Sequence, residues 1–133
     1  MTTHFKQIKK QILEANENGI LKENDYLTGF SGKKYLGALQ RLAQLQVNEY
    51  QTYVEIGVFQ GLTLLSVASV VDQPIYGIDN FAFFDPEDKN FSLVRERRDK
   101  LNLPHAQVLN MDYEDAMNDL STKIGNKKIG LYF

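Results

Sequence analysis

Tyr53-Val54-Glu55-Ile56-Gly57-Val58-Phe59-Gln60-Gly61 is the stretch on which the reading of this chain turns, taken together with Gly77-Ile78-Asp79 further along. Tyr53 to Val58 is an apolar, strand-like run with a carboxylate inside it. Two glycines, Gly57 and Gly61, lead into a helix-like run from Gly61 to Val71. The next strand-like run, Ile75 to Asp79, ends on a second carboxylate, 24 residues after Glu55. Strand, glycine-bearing turn, helix and strand in that order predict a parallel crossover unit.

Working outward, the alternation continues. Asp72-Gln73-Pro74 is a turn between the first crossover helix and the second strand. Asp85-Pro86-Glu87-Asp88 offers a capping acid, a proline at the first helical position and acids in the first turn, so a helix is expected from there to about Leu101. Pro104 bars its continuation. Ala106 to Leu109 reads as a third strand and Tyr113 to Leu120 as a short helix with Ala116, Met117 and Leu120 inward. Gly125-Asn126 is a turn, and Lys128 to Phe133 reads as a fourth strand. The expected class is α/β, a Rossmann-like parallel sheet of four strands in the order 3-2-1-4 with right-handed crossovers.

The first part of the chain has a different pattern. Phe5, Ile8 and Ile12 recur at helical spacing with Leu13 beside them, and Asn18-Gly19 is a stop. That predicts a helix docked on its own domain through this face. Glu23 to Gly32 reads as a loop. A second helix is expected from Lys33 to about Val47, with Leu36, Leu39, Leu42 or Ala43, and Leu45 or Gln46 on its apolar face. Residues 1–49 are therefore expected to form a helical cap and residues 50–133 the sheet domain.

Composition narrows the classes. A single domain is the default for 133 residues. A net charge of −2 gives no electrostatic reason to expect a nucleic-acid or anionic-membrane partner. Without cysteine there are no disulfides and no thiolate chemistry. Met1 to Lys10 lacks the apolar core of a signal peptide. The longest charge-free run, Ile56 to Val71, has 16 residues, too few for a membrane span. A cytoplasmic location fits these features. No set of His, Cys, Asp or Glu has metal-ligand spacing.

The residues with chemical potential follow from the elements. Glu55 lies in a strand expected to be buried on both faces, where a carboxylate costs several kcal/mol unless it is paired. A ligand is one explanation, and capping of backbone donors is the other. Gly57 and Gly61 let backbone approach a ligand, and the first amides after them, near Leu62 and Thr63, suit an anionic group. Asp79, at the tip of the second strand, is placed to accept from both hydroxyls of a ribose, or to form a turn. Asp112, after the third strand, can accept from an adenine amino group beside Met111 or Tyr113, or cap the next helix. Together Glu55, Gly57, Gly61, Asp79, Asp112 and Tyr113 outline an adenosine-containing ligand. Phe81, Phe83 and Phe84 could wall such a pocket but suit core or interface equally. Arg95, Arg97 and Arg98 read as a solvated helix face. His105 stands far along the chain from the pocket residues.

These residues resemble the class I S-adenosylmethionine-dependent methyltransferases. Tyr53 to Gly61 is similar to that superfamily's first motif, Tyr76-Gly77-Ile78-Asp79 to the second, and Asn110-Met111-Asp112-Tyr113 to the third. The wording of Glu55 to Gly61 looks most like the small-molecule O-methyltransferases related to macrocin O-methyltransferase. Phe59 stands where the commoner motif has a glycine, a position this subgroup often leaves without one. The resemblance spans roughly residues 50–133. It implies S-adenosyl-L-methionine as cofactor and a small-molecule hydroxyl as methyl acceptor. It also implies that Glu55 and the Gly57–Gly61 backbone hold the methionyl end, Asp79 the ribose, and Asp112 and Tyr113 the adenine. It assigns no general base within this stretch. An Asp-Gly-x-His-like segment that the subgroup carries after its fourth strand is missing, so the expectation is a fragment, or a chain completed by a partner. An apolar fourth strand left at the edge also invites self-association. Two other readings remain: half of an NAD(P)-dependent oxidoreductase, which needs a G-x-G-x-x-G turn this chain lacks, and a non-catalytic binding or assembly module.

Overall fold

The computed structural model describes residues 2–133. Nine elements follow in the order α1 (Thr3–Asn18), α2 (Lys33–Gln46), β1 (Gln51–Ile56), α3 (Leu62–Ala68), β2 (Ile75–Asp79), α4 (Asn90–Lys100), β3 (Ala106–Asn110), α5 (Tyr113–Ile124) and β4 (Lys128–Tyr132). The strands form one sheet in the order β3-β2-β1-β4, and all three pairings are parallel. This is the expected Rossmann-like α/β architecture.

Period-two alternation sorts the strand residues between two cores. Tyr53 and Ile75 pack with Leu64, Leu65 and Val67 of α3, Leu39 and Ala43 of α2, and Val94 of α4. Val54, Tyr76 and Ile78 point the other way, onto Ala116 and Leu120 of α5. Both faces of β1 and β2 are therefore covered, which is why the strands read as nearly continuous apolar runs. Gly77 lets α3 lie close on the sheet: a Cβ there would stand 2.6 Å from both Leu64 Cδ2 and Val58 Cγ2.

The helices depart from expectation in four places. α3 is shorter than Gly61 to Val71, ending at Ala68. α5 is longer than expected and runs to Ile124, with Met117 exposed and not inward. α4 starts at Asn90 and not at Pro86. Asp85 does act as a backbone acceptor, but its Oδ1 takes the amides of Lys89 and Asn90. Pro86 to Asp88 stay in a turn, where Asp88 has a positive φ of 55°.

The fourth departure concerns how α1 docks. Phe5, Ile12 and Leu13 are exposed and only Ala15 is buried. α1 meets α2 instead through small residues. Gly37 has no room for a side chain, since its Cβ would overlap the Gly19 carbonyl. Arg41, buried in α2, donates from Nη1 to the Gly19 and Gly37 carbonyls at 2.6 and 3.1 Å. Gln40, which has no solvent exposure, also ties the loop after α1 to α3. Its Oε1 accepts from the Leu21 and Lys22 amides, and its Nε2 donates to the Lys22 and Ser66 carbonyls. No described helix is long and apolar enough to cross a membrane.

Candidate functional site

The carboxyl ends of β1, β2 and β3 lie side by side: Ile56 pairs with Ile78, and Asp79 with Asn110. β4 lies on the opposite side of β1, so the strand order reverses at β1, the place where open α/β sheets bind ligands. After β1 the chain turns sharply. Gly57 takes φ 94°, Phe59 φ 52° and Gly61 φ 87°. At Gly57 this conformation favours glycine, and a Cβ there would meet nothing within 4 Å, so the backbone faces open space. Phe59 has no such freedom, and a left-handed conformation costs it roughly 1–2 kcal/mol. Asp79 compensates: its Oδ2 accepts from the Phe59 amide at 2.8 Å. The other oxygen, Oδ1, accepts from the Phe81 amide at 2.8 Å. One half-buried carboxylate thus holds the turns that follow both β1 and β2.

Two clefts meet at Gly57. The first, about 170 Å³, is lined by Ile56, Gly57, Asp79, Asn80, Met111, Asp112 and Tyr113 among others. Asn80 donates from Nδ2 to Asp112 Oδ1 at 2.7 Å, linking the ends of β2 and β3. Asp112 occupies the cap position of α5 but makes no side-chain cap bond, so its second oxygen is available. Tyr113 beside it is exposed. The second cleft, about 180 Å³, runs between the turn residues Gly57 to Gln60, the start of α3 at Leu62 and Thr63, and the segment Gly29-Phe30-Ser31 of the cap loop. Phe133, after β4, closes one side. The two clefts together reach the lower end of the range for small-ligand pockets, about 300–1,000 Å³. A third cavity, about 240 Å³, lies between the cap loop, α2 and α3 and shares Gly29, Ser31 and Leu62 with the second cleft.

Gly57, Asp79, Asp112 and Tyr113 are therefore brought together in one cleft. Glu55 and Gly61 line neither cleft. Gly61 is buried, with Leu65 and Val94 within 3.4 Å of where its Cβ would be. Glu55 has no solvent exposure and sits on the α3 face of β1, two residues from Tyr53. The Tyr53 hydroxyl donates to its Oε1 at 2.7 Å. Burial pushes the Glu55 carboxyl up to about 7, against the pull of the Tyr53 and Thr63 hydroxyls, with the Asp79 charge adding to the rise and the Leu64 amide opposing it. Neither Thr63 nor Leu64 makes a well-formed bond to Oε2, which has no partner among the described residues. Burial and the neighbouring Glu55 in turn push the Tyr53 hydroxyl far up.

Several participants were invisible in the sequence pattern. Asn80 immediately follows Asp79, and an amide beside a strand-end acid is the one signal that could have marked it. Nothing marked Gly29 to Ser31 as a cleft wall. The expectation that Arg97 is a solvated residue is wrong. It is buried in α4, donating from Nη1 to the Gln60 carbonyl at 2.7 Å and from Nη2 to Thr28 Oγ1 at 2.8 Å. Phe81 goes into the core against Phe91, whereas Phe83 and Phe84 are exposed and pack on each other. None of the three lines either cleft. His105 is bound to the Ala68 carbonyl at the far end of α3. Among the described residues no group of three or more His, Cys, Asp or Glu is placed to hold a metal ion.

No known family model matches the chain. No curated protein matches it in sequence. Solved structures do. One is the O-methyltransferase from Bacillus cereus in complex with SAH, with a TM-score of 0.56 and 14% identity, covering 92% of this chain and 49% of that one. Another is coclaurine N-methyltransferase bound to N-methylheliamine and SAH, with a TM-score of 0.45 and 14% identity, covering 82% of this chain and 36% of that one. At that identity the likeness to the Bacillus cereus enzyme is one of fold. The chain spans about half the length of that enzyme.

Proposed function

We propose that this chain is the S-adenosyl-L-methionine-binding portion of a methyltransferase that acts on a hydroxyl of a small molecule. The observation that carries the reading is the first cleft. Two carboxylates, Asp79 and Asp112, stand at neighbouring strand tips around the open backbone of Gly57. A carboxylate has about four lone-pair sites. Asp79 uses two on backbone amides and keeps two for the hydroxyls of a ribose. Asp112 keeps Oδ2 for an adenine amino group, with Met111 and Tyr113 flanking the ring. The methionyl end would then extend past Gly57 into the second cleft. Glu55, wholly buried, lies behind Thr63, which lines that cleft, and so acts there only indirectly. Gly61 sets the turn from within. The fold shared with an O-methyltransferase solved with SAH supports the assignment.

When bound, S-adenosylmethionine supplies an electrophilic methyl group on a sulfonium. The chain's own residues align the cofactor; none is assigned as general base. Phe59 stands where a dinucleotide fingerprint would bring bare backbone to a pyrophosphate, which argues against an NAD(P) site. The same reading includes self-association through β4, whose outer edge is the end of the sheet and exposes Ile129 and Tyr132. Sedimentation should show a dimer growing with concentration; a strict monomer at every concentration argues against that part.

Calorimetry tests the cofactor assignment. S-adenosylhomocysteine should bind saturably, Asp79→Ala should weaken it at least tenfold, and NAD should not bind. No binding by folded protein, or NAD binding of equal strength, would overturn the reading.

A further inference from the structure

Arg97 joins two segments that are remote in sequence and adjacent at the second cleft. It donates to the Gln60 carbonyl, 37 positions away, and to both the hydroxyl and the carbonyl of Thr28, 69 positions away, at 2.8 and 3.4 Å. Gln60 lines one wall of that cleft, and Gly29 to Ser31, which follow Thr28, line the other. No carboxylate pairs with Arg97 among the described ion pairs. Burial lowers its guanidinium pKa, with the Glu96 charge opposing, yet an arginine stays cationic. Holding a buried cation on neutral acceptors alone is costly. What it supplies is a rigid planar fork that reaches several acceptors at once, a geometry that lysine cannot reproduce. The other tie between the same walls is the stack of Phe30 on Phe59, with centroids 5.6 Å apart. Phe30 is 90% exposed, so that tie is weak. Leu62 adds contact under Gly29, where a Cβ would stand 2.9 Å from Leu62 Cδ2.

We propose that Arg97 is the positioning residue of the second cleft, clamping the cap segment 28–31 to the turn 57–61 so that the cleft keeps its width. The consequence for binding rests on the cofactor reading given above. The adenosine end lies in the first cleft, which Arg97 does not border, whereas the amino-acid end lies between the walls it joins. Loss of the clamp should therefore weaken ligands that carry the amino-acid end and spare those that lack it.

Two measurements on the full chain separate this role from plain stability. In calorimetry, Arg97→Met should lower the affinity for S-adenosylhomocysteine about tenfold or more and that for adenosine less than twofold. Arg97→Lys should not rescue the loss, and Thr28→Val should lose affinity in the same direction by less. Asp79→Ala should weaken both ligands. Equal losses of both ligands in Arg97→Met, or none, would overturn the proposal. Amide hydrogen exchange decides the clamp without any ligand. Arg97→Met, or Thr28→Val if the first variant does not fold, should speed exchange of the hydrogen-bonded Phe59 and Gly61 amides and leave Val54 and Ile78 unchanged. Unchanged exchange at Phe59 and Gly61 would overturn it. If the wild type binds neither ligand, the cofactor reading fails and the exchange result still decides the clamp.

Discussion

At the scale of single residues, Glu55 is the most consequential side chain in the molecule. It is wholly buried, has one donor on Oε1 and an unpartnered Oε2, and its carboxyl is pushed up to about 7 from an ordinary 4.5. The sign of its effect on stability follows. Between about 4.5 and about 7 the folded protein holds a proton that the unfolded chain has released, so stability falls as pH rises through that window and is level above it. The drop is bounded at roughly 3 kcal/mol, since each tenfold change in proton affinity is worth about 1.4 kcal/mol. Denaturant titrations at pH 5 and pH 8 should show it, and Glu55→Gln should flatten the slope. A Glu55→Gln variant with the wild-type pH dependence would assign that slope to another group. Tyr53→Phe, which removes the Oε1 donor, should cost about 1–3 kcal/mol and carry the window to higher pH. The sequence marks Glu55 because a carboxylate in an apolar strand breaks the pattern. Arg97 breaks no pattern, lying among Arg95, Glu96 and Arg98, and only the fold shows that one of these charges faces inward.

At the scale of elements, glycines act in two different ways that substitution should separate. Gly77 lies in β2 beneath α3, and a methyl there collides with Leu64 and Val58. Gly77→Ala should destabilise the fold by about 1–3 kcal/mol, as overpacking does. Gly57→Ala meets no neighbour and carries only the strain of a positive φ, about 1–2 kcal/mol. Its methyl, however, enters the space shared by both clefts. Thermal unfolding should therefore rank Gly77→Ala as the greater loss wherever α3 cannot shift to admit the methyl. S-adenosylhomocysteine binding measured on folded protein should show the greater loss in Gly57→Ala, and a full-affinity Gly57→Ala would remove Gly57 from the site. Element order was legible because period-two runs, glycine turns and Pro104 all agreed. The start of α4 was not, because Asp85-Pro86 serves a turn as readily as a helix cap. The docking of α1 was not either, since close approach at Gly37 and a buried Arg41 replaced the apolar stripe of Phe5, Ile12 and Leu13.

At the scale of the whole molecule, the sheet order places three strand tips at one edge of a reversal point, and the cap loop comes over that edge to form the second cleft. Alternation and handedness made a parallel sheet with right-handed crossovers readable, whereas the reversal at β1 came with the likeness to Rossmann-like sheets. The grouping of Gly57, Asp79, Asp112 and Tyr113 followed from it, because parallel strands put their carboxyl ends together. The cap's share in the site was not readable: the link from Thr28 to Arg97 spans two domains of the sequence pattern and depends on tertiary contact. Whether the paired clefts at Gly57 hold S-adenosylmethionine is decided by a heteronuclear NMR titration of the labelled chain with S-adenosylhomocysteine. Saturable amide shifts should cluster at Gly57, Phe59, Asn80 and Tyr113, extend to Gly29 and Thr63, and vanish in Asp79→Ala; shifts confined to α1 or β4, or none at millimolar ligand, would contradict that assignment.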